Sequence, residues 1–336
     1  MASVGDVGKK GKTISDMDGY DQTFAQKDLD KRAEDAQSVT VKFYNLITDF
    51  YEYGWGESFH FATRYAGEAF DASIARHEHY LAAKIGLKPG DKVLDVGCGV
   101  MGPGREIARF SGANVCGLNL NEYQVERCNI LNGKSAVSRL LSVKQGDFMN
   151  IPAEDNTYDK IYAIEALCHA PDRVAVYKEI YSKLKPGGMV GFYEWVLTDK
   201  YDPQSVEHQK IKRAIEYGNS ICELGLWKDV DRDLKEAGFI AKETVNLAAE
   251  AMRNGNDITW YSGLEGGCSL ANIRQSRVGR LFTHAMVTVM ETLRLAPSGT
   301  VRAHNILVTA AKALVAGGTT GIFTPMYLVV ATKPAN

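Results

Sequence analysis

Apolar positions along the chain fall into four regimes. Up to about Gln26 the residues are Gly-, Lys- and Asp-rich without a period, which predicts a flexible tail over 1–26. From about Lys27 to Lys88 apolar residues recur at helical spacing, interrupted by the segment "YEYGWGESFHF" (Tyr51 to Phe61). From about Gly90 to Leu247 short apolar runs alternate with amphipathic stretches, the rhythm of βαβ units and a parallel sheet. Helical spacing returns from about Ala248 to Thr324, and "PMYLVVAT" (Pro325 to Thr332) predicts a last strand. The block boundaries are 1–26, 27–89, 90–247 and 248–336. The helices of the final block are then an insertion between a sixth strand (about Ile240 to Leu247) and the last one.

The third block carries the first chemistry. "DKVLDVGCGVMGPGREIARF" (Asp91 to Phe110) reads as a short strand, a glycine-rich turn and a helix with Pro103 in its first turn. Gly97 and Gly99 let the backbone approach a ligand, and the helix start presents free N–H groups. Asp95 stands before the glycines, as D-x-G-x-G. There an acid suits an amino-acid ammonium group better than a pyrophosphate. A second strand, "NVCGL" (Asn114 to Leu118), puts Asn119 about 20 residues past the glycines, in reach of ribose hydroxyls. Asn121 reads as an N-cap, with Gln124 at the third helical position. A third strand, "LLSVKQ", leads to Asp147 and Phe148, a carboxylate for an adenine amino group beside a ring for the base. A fourth, "DKIYAIEALCHAP", ends with Glu165 and His169, and "LKPGGMVGFYEW" gives a helix end, a turn and a fifth strand.

Those five elements in order resemble class I S-adenosylmethionine-dependent methyltransferases. The resemblance implies an α/β fold with a Rossmann-like, mostly parallel sheet, the last strand antiparallel. A helical cap precedes the sheet and a helical insertion lies in its C-terminal part. It also implies S-adenosyl-L-methionine as cofactor, S-adenosyl-L-homocysteine as product, and a binding set of Asp95, Gly97, Gly99, Asn119, Gln124, Asp147 and Phe148.

Tyr51 to Phe61 gathers aromatic rings, a histidine and two carboxylates around Gly54 and Gly56, a run that suits neither a solvated loop nor a packed helix. Together with "SIARHEHYLA", "YAIEALCHAP", "YEWVLTDKYD" and "FTHAMVTVMETLRLAP", it resembles the sterol C24-methyltransferase family from about Tyr44 to Pro334. The resemblance implies methyl transfer to the side-chain double bond of a Δ24-sterol. An alkene attacking a sulfonium methyl becomes a tertiary cation, so the site must be dry and still stabilise charge. Tyr51, Tyr53, Trp55, Phe59 and Phe61 supply rings, at about 0.5–2 kcal/mol per cation–π contact. A base must take the final proton; Glu52, Glu165 and the Arg76 to His79 group, with His77, are candidates. That makes Tyr51, Glu52, Glu165 and His77 the catalytic set, and Tyr53, Trp55, Phe59 and Phe61 the substrate-binding set. The family usually has a glycine where this chain has Met101, and a polar residue where it has Leu120. Methylation of another unsaturated lipid or terpenoid, or a non-enzymatic sensor, are the competing readings. Intact acids at Asp95, Asp147, Glu52 and Glu165 argue against the sensor.

Composition narrows the partners. With 336 residues, 45% hydrophobic and a net charge of −2, the chain can bury a large core and offers no footprint for nucleic acid. No two of its six cysteines form a C-x-x-C pair, and His77 and His79 face different ways on a helix, so no metal site is expected. No run of about 18 uncharged apolar residues predicts a spanning helix. A sterol-using enzyme without such a helix is expected peripherally at the cytosolic face of the endoplasmic reticulum, as a homo-oligomer. "LFTHAMVTVMETL" has apolar residues at helical spacing and predicts core packing, or else a wall against a flat substrate.

Overall fold

The computed structural model describes residues 20, 21, 23, 24, 29–255, 257–265, 277–296 and 299–335. The chain divides into two compact units. The first comprises Met1–Gly54, Pro203–Glu223 and Tyr261–Thr319; the second comprises Trp55–Asp202, Leu224–Trp260 and Thr320–Asn336. The contiguous blocks expected from sequence cut across these units, because compactness follows contacts rather than chain order: 27–89, 90–247 and 248–336 each contribute to both.

The second unit is built on a seven-stranded sheet. Its strands are β1 (Lys92–Val96), β2 (Asn114–Asn119), β3 (Leu141–Gln145), β4 (Tyr158–Ile164), β5 (Leu184–Leu197), β6 (Ile240–Asn246) and β7 (Phe323–Thr332). They lie in the order β3-β2-β1-β4-β5-β7-β6. Neighbours from β3 to β5 are parallel, and β7 is antiparallel to both β5 and β6. The expected mostly parallel sheet with an antiparallel last strand is thus present. A separate two-residue ladder joins Arg64–Tyr65 to Asp257–Ile258.

The strands read as they do because both sheet faces are covered, which favours unbroken apolar runs over alternation. Nine of the ten β7 residues are buried. On one face Leu94, Ile161, Phe192 and Val329 pack with Val176, Ile180 and Leu234. On the other, Val93, Val115, Tyr162, Tyr193 and Leu328 pack with Leu81, Ile107 and Cys128. Each such side chain contributes roughly 1.5–3 kcal/mol on removal from water.

Helices α1 (Leu29–Trp55), α2 (Phe70–Lys84), α3 (Gly102–Ser111), α4 (Glu122–Gly133), α5 (Arg173–Lys183), α6 (Val206–Asn219), α7 (Trp227–Glu236), α8 (Arg277–Thr292) and α9 (Thr300–Thr320) account for most of the rest. Pro103 stands in the first turn of α3, and Asn121 caps α4 by accepting the Gln124 N–H at 2.9 Å.

Three expectations need correcting. The opening aromatic run is not wholly non-helical: α1 continues through Trp55, and only at Gly56 (φ 81°) does the chain turn. One interior glycine costs a helix only about 1 kcal/mol, which tertiary packing overrides. The tail expected over 1–26 falls mostly outside the described residues, yet Tyr20 is fully buried and stacks on Phe43 beside Ile47 and Ile306. The apolar face of α8, expected as core, is largely exposed.

Candidate active site

The sheet order reverses between β1 and β4, and open α/β sheets bind ligands at the strand ends beside such a switch. Here β1 ends in Asp95 and Gly97, β2 in Asn119, and β4 runs into Glu165. Gly97 (φ 70°) admits no side chain: a Cβ there would sit 2.5 Å from that of Ala166, so the turns after β1 and β4 close on each other. Asn119 ties the turn together. Its Nδ2 donates to Gly99 O (2.9 Å) and Gln124 Oε1 (2.8 Å), while its Oδ1 accepts the Asn121 N–H (2.9 Å). Asn119 and Gln124 therefore hold the glycine-rich turn against the start of α4, and Oδ1 keeps one lone pair for a ligand.

Asp95 is the uncompensated group of this cradle. It is buried and its Oδ2 has no hydrogen-bond partner. Burial pushes its carboxyl up to about 7, against the pull of the neighbouring Tyr162 hydroxyl, which itself lacks an acceptor in good geometry. A buried carboxylate oxygen without a donor is costly unless a cation completes it. The structure thus fits the ammonium end of the cofactor.

The turn has a second tenant. A Cβ on Gly102 would collide with the Glu57 carbonyl, and one on Gly99 (φ 54°) would touch the Phe59 ring at 3.5 Å. Arg105, itself buried, donates to Glu57 Oε2 (2.6 Å), Val100 O (2.8 Å) and Asn132 Oδ1 (2.9 Å). The end of the aromatic run is therefore docked on the cofactor turn itself.

From there Phe61 reaches Glu165. The Phe61 N–H donates to Glu165 Oε1 and the Trp195 indole N–H to Oε2, both at 2.8 Å. Phe61 meets Trp260 edge-on at 4.9 Å; Phe323 lies 5.3 Å from Trp195 and 5.8 Å from Trp260. Glu165 itself holds a left-handed backbone (φ 53°), pinned by its N–H to Tyr193 O. For a non-glycine residue that conformation costs about 1–2 kcal/mol and clusters at functional sites. Burial raises the Glu165 carboxyl to about 7, opposed by the His60 charge and the two N–H donors. The result is an ionisable carboxylate clamped by the Phe61 N–H and the Trp195 indole, and the rings of those two residues belong to a cluster with Trp260 and Phe323.

Beside it lies a buried histidine pair. His60 bonds Glu78 Oε1 through Nε2 and Phe61 O through Nδ1, both at 3.0 Å. Burial pushes the His60 pKa down, but the Glu78 hydrogen bond and charge outweigh that and raise it overall. Ser58 also donates to Glu78 at 2.8 Å. His77 stacks on Tyr193 at 3.8 Å, with Nε2 unpartnered. Burial first, then the His60 and Arg76 charges, hold it well below the usual imidazole range, so it is neutral. His79 points elsewhere, to Glu106 and Phe110.

The remaining expected residues sort as follows. Tyr51, Glu52 and Tyr53 lie near the end of α1 in the first unit. Trp55 ends that helix but belongs to the second unit. Of these four only the Glu52 side chain is described, and it is half-buried. Asp147 is half-buried and accepts the Met149 N–H, and the Phe148 ring packs partly on the core. His169 closes a short 3₁₀ turn. Met101 takes the left-handed conformation (φ 63°), but its side chain is fully buried, with Sδ accepting from Asn132 Nδ2 at 3.0 Å. Trp195, Trp260 and Phe323 were not singled out, and Glu78 entered only as part of the Arg76 to His79 group. Trp260 and Phe323 carry no local motif, and only the fold brings them to Phe61 and Trp195.

The strand order, the glycine-rich turn and the acid at the end of β1 define a class I S-adenosylmethionine-dependent methyltransferase. Among solved structures the chain is similar to the cyclopropane synthase MmaA2 from Mycobacterium tuberculosis (TM-score 0.67, 14% identity, 87% of this chain and 96% of that one). It is also similar to a geranyl diphosphate methyltransferase (TM-score 0.64, 15% identity, 89% and 98%). At such identities these likenesses establish the fold. A "Methyltransferase domain" family profile matches residues 94–192, and "Sterol methyltransferase C-terminal" matches 270–335. Curated relatives include sterol 24-C-methyltransferase of Saccharomyces cerevisiae, 50% identical over 97% of this chain and 85% of the yeast protein. Another is cycloartenol-C-24-methyltransferase of Arabidopsis thaliana, 46% identical over 97% and 96%. The chain belongs to the sterol 24-C-methyltransferase family, and its cofactor is S-adenosyl-L-methionine.

Proposed function

We propose that this protein transfers a methyl group from S-adenosyl-L-methionine to C24 of the side-chain double bond of a Δ24-sterol, in sterol biosynthesis. Near end-to-end identity to enzymes of that name supports the reading. The observation that carries it is the Glu165 carboxylate, clamped by Phe61 and Trp195, whose rings cluster with those of Trp260 and Phe323. The bound cofactor supplies an electrophilic methyl. Asp95 receives its ammonium group; Gly97 and Gly99 give backbone approach; Asn119 and Gln124 fix the turn; Asp147 and Phe148 take the adenine. The rings of Phe61, Trp195, Trp260 and Phe323 exclude water and face the tertiary cation left on the sterol, while Phe59 seals the cofactor turn. Glu165, ionised above about pH 7, stabilises that cation and stands ready to take the final proton.

In this reading Tyr51 and Glu52 take part in catalysis and Tyr53 and Trp55 in substrate binding, and neutral His77 is a positioning residue beneath Tyr193. Blocks 27–89, 90–247 and 248–336 act as cap, cofactor core and sterol-specific region. No helix among the described residues is long and apolar enough to cross a membrane. In this reading the enzyme meets its membrane-dissolved substrate peripherally, at the cytosolic face of the endoplasmic reticulum, as a homo-oligomer. The test is incubation with methyl-labelled cofactor and two or three Δ24-sterols, with products identified by mass spectrometry. Label in a C24-methyl sterol is expected. Label only in a non-sterol lipid or terpenoid would replace this reading.

A further inference from the structure

Helix α8 is inside out. An ordinary surface helix turns its apolar stripe inward and its charges outward. In α8 and the turn after it, Val278 (74% exposed), Leu281 (72%), Phe282 (67%), Met286 (38%), Val289 (56%) and Leu293 (62%) all face solvent. Their spacing, i, i+3, i+4, i+8, i+11, i+15, places them on one continuous side of the helix. The described charged groups of the helix, Arg280 and Glu291, face the other way. Arg280 donates to Leu264 O at 2.9 Å, and the Glu291 carboxylate accepts the Gly299 and Val301 N–H groups at 2.9 and 2.7 Å. His284 lies against His304, and Thr283 is buried. The stripe exposes on the order of several hundred Å² of apolar surface, which marks an interaction site rather than scattered surface residues.

Resting on the sterol reading above, we propose that this face of α8 lies in the interface of a phospholipid bilayer and docks the enzyme on the membrane that dissolves its substrate. A helix with Phe, Leu, Met and Val along one side, sunk to the level of the acyl boundary, is the geometry of an interfacial anchor. The charge pattern agrees. Arg294 is exposed just past the helix, while the acid, Glu291, is turned inward onto backbone N–H groups. Cations at the rim of an apolar stripe suit anionic headgroups. A second copy of the chain fits less well. A stable protein pair needs about 800 Å² from each partner with a polar rim, and this stripe is one helix wide.

The experiment is flotation of the full-length protein with phosphatidylcholine–phosphatidylserine vesicles, comparing wild type with the double variant L281E/F282E. Both side chains already stand in water, so the variant keeps its fold, checked by circular dichroism. Removing two buried apolar side chains should lower vesicle binding by tenfold or more. Methylation of vesicle-borne sterol should fall in proportion, and methylation of detergent-solubilised sterol should be unchanged. Equal flotation of variant and wild type overturns the proposal. So does a variant that floats normally but loses oligomer mass by light scattering, which makes the stripe a contact between copies. Loss of turnover with detergent-borne sterol and intact flotation overturns it too, in favour of a substrate wall. Failure of the wild type to methylate detergent-borne sterol would count against the sterol reading alone, since flotation is read separately.

Discussion

Replacing Glu165 by glutamine keeps the shape of the side chain and removes its charge. Both carboxylate oxygens accept an N–H at 2.8 Å, one from Phe61 and one from Trp195. An amide must turn its NH2 toward one of those donors, leaving a buried donor unmet at about 1–3 kcal/mol. The lost charge matters more. A unit charge about 5 Å from a developing cation, at an effective dielectric of about 20, is worth roughly 3 kcal/mol. Glu165→Gln should therefore lower kcat about two-hundred-fold, with KM for the sterol nearly unchanged, because the interaction exists only once the cation forms. The same carboxyl sets a pH signature. Its folded pKa is about 7, above the ordinary value of 4.5, so the folded state holds the proton more tightly. Its contribution to stability is complete below about pH 4.5 and is lost as pH rises to about 7, by roughly 3 kcal/mol. Activity moves the other way, rising through pH 7 as Glu165 ionises. The assays are kcat against pH and urea unfolding at about pH 5 and 8, for wild type and variant. The variant should lose the acidic limb of the rate profile and flatten the stability profile by Glu165's share. Asp95 and Glu194, whose carboxyls burial also raises to about 7, leave their own slope in both proteins. Wild-type kcat with the acidic limb intact in Glu165→Gln would refute the assignment.

Other outcomes follow from the same geometry. Asp95 should release up to one proton when the cofactor's ammonium arrives at about pH 6.5, read by calorimetry in buffers of different ionisation enthalpy; Asp95→Ala should weaken binding severely and abolish the release. Gly102→Ala drives a methyl into the Glu57 carbonyl, so the 57–61 segment must shift and pull Phe61 off Glu165. A kcat loss of tenfold or more is expected, and unchanged kinetics would show that the segment's position does not matter. Met101→Gly relieves about 1 kcal/mol of left-handed strain but empties a fully buried site worth about 2–5 kcal/mol, so denaturant melts should show net destabilisation.

Much of the cofactor half was legible in the sequence because it is written locally. Strand, glycine turn and helix start lie within twenty residues, and Asp95, Asn119 and the Asn121 cap fall at the strand and helix ends where spacing put them. The substrate half was legible only in part. Glu165 could be picked as an acid at a strand end, but Trp260 and Phe323 come from segments without a motif and meet Phe61 and each other only in the folded chain. Tyr51 to Trp55 looked non-helical because of Gly54 among clustered rings, but a glycine costs a helix only about 1 kcal/mol and α1 overrode it. Met101 looked like an obstruction in the glycine turn; its backbone turns as a glycine would while its thioether points into the core. For α8, periodicity found the helix but could not say which side is wet, and the protein turned its charged groups inward.

The position of β7 has a consequence for biosynthesis. It lies between β5 and β6, and β6 pairs with no other strand of the sheet. A ribosome that has made both β5 and β6 has still to deliver the whole stretch from Leu247 to Thr320 before either finds this partner. Until then β5, with the apolar run Val190 to Leu197, presents an open edge, and β6 is an unpaired strand; such edges recruit other chains. Sheet closure is also a long-range event and therefore slow. A nascent chain stalled or clipped before Phe323 should behave less like a weakened enzyme than like an aggregation seed, a natural client for a chaperone that holds strand edges apart until the last strand arrives.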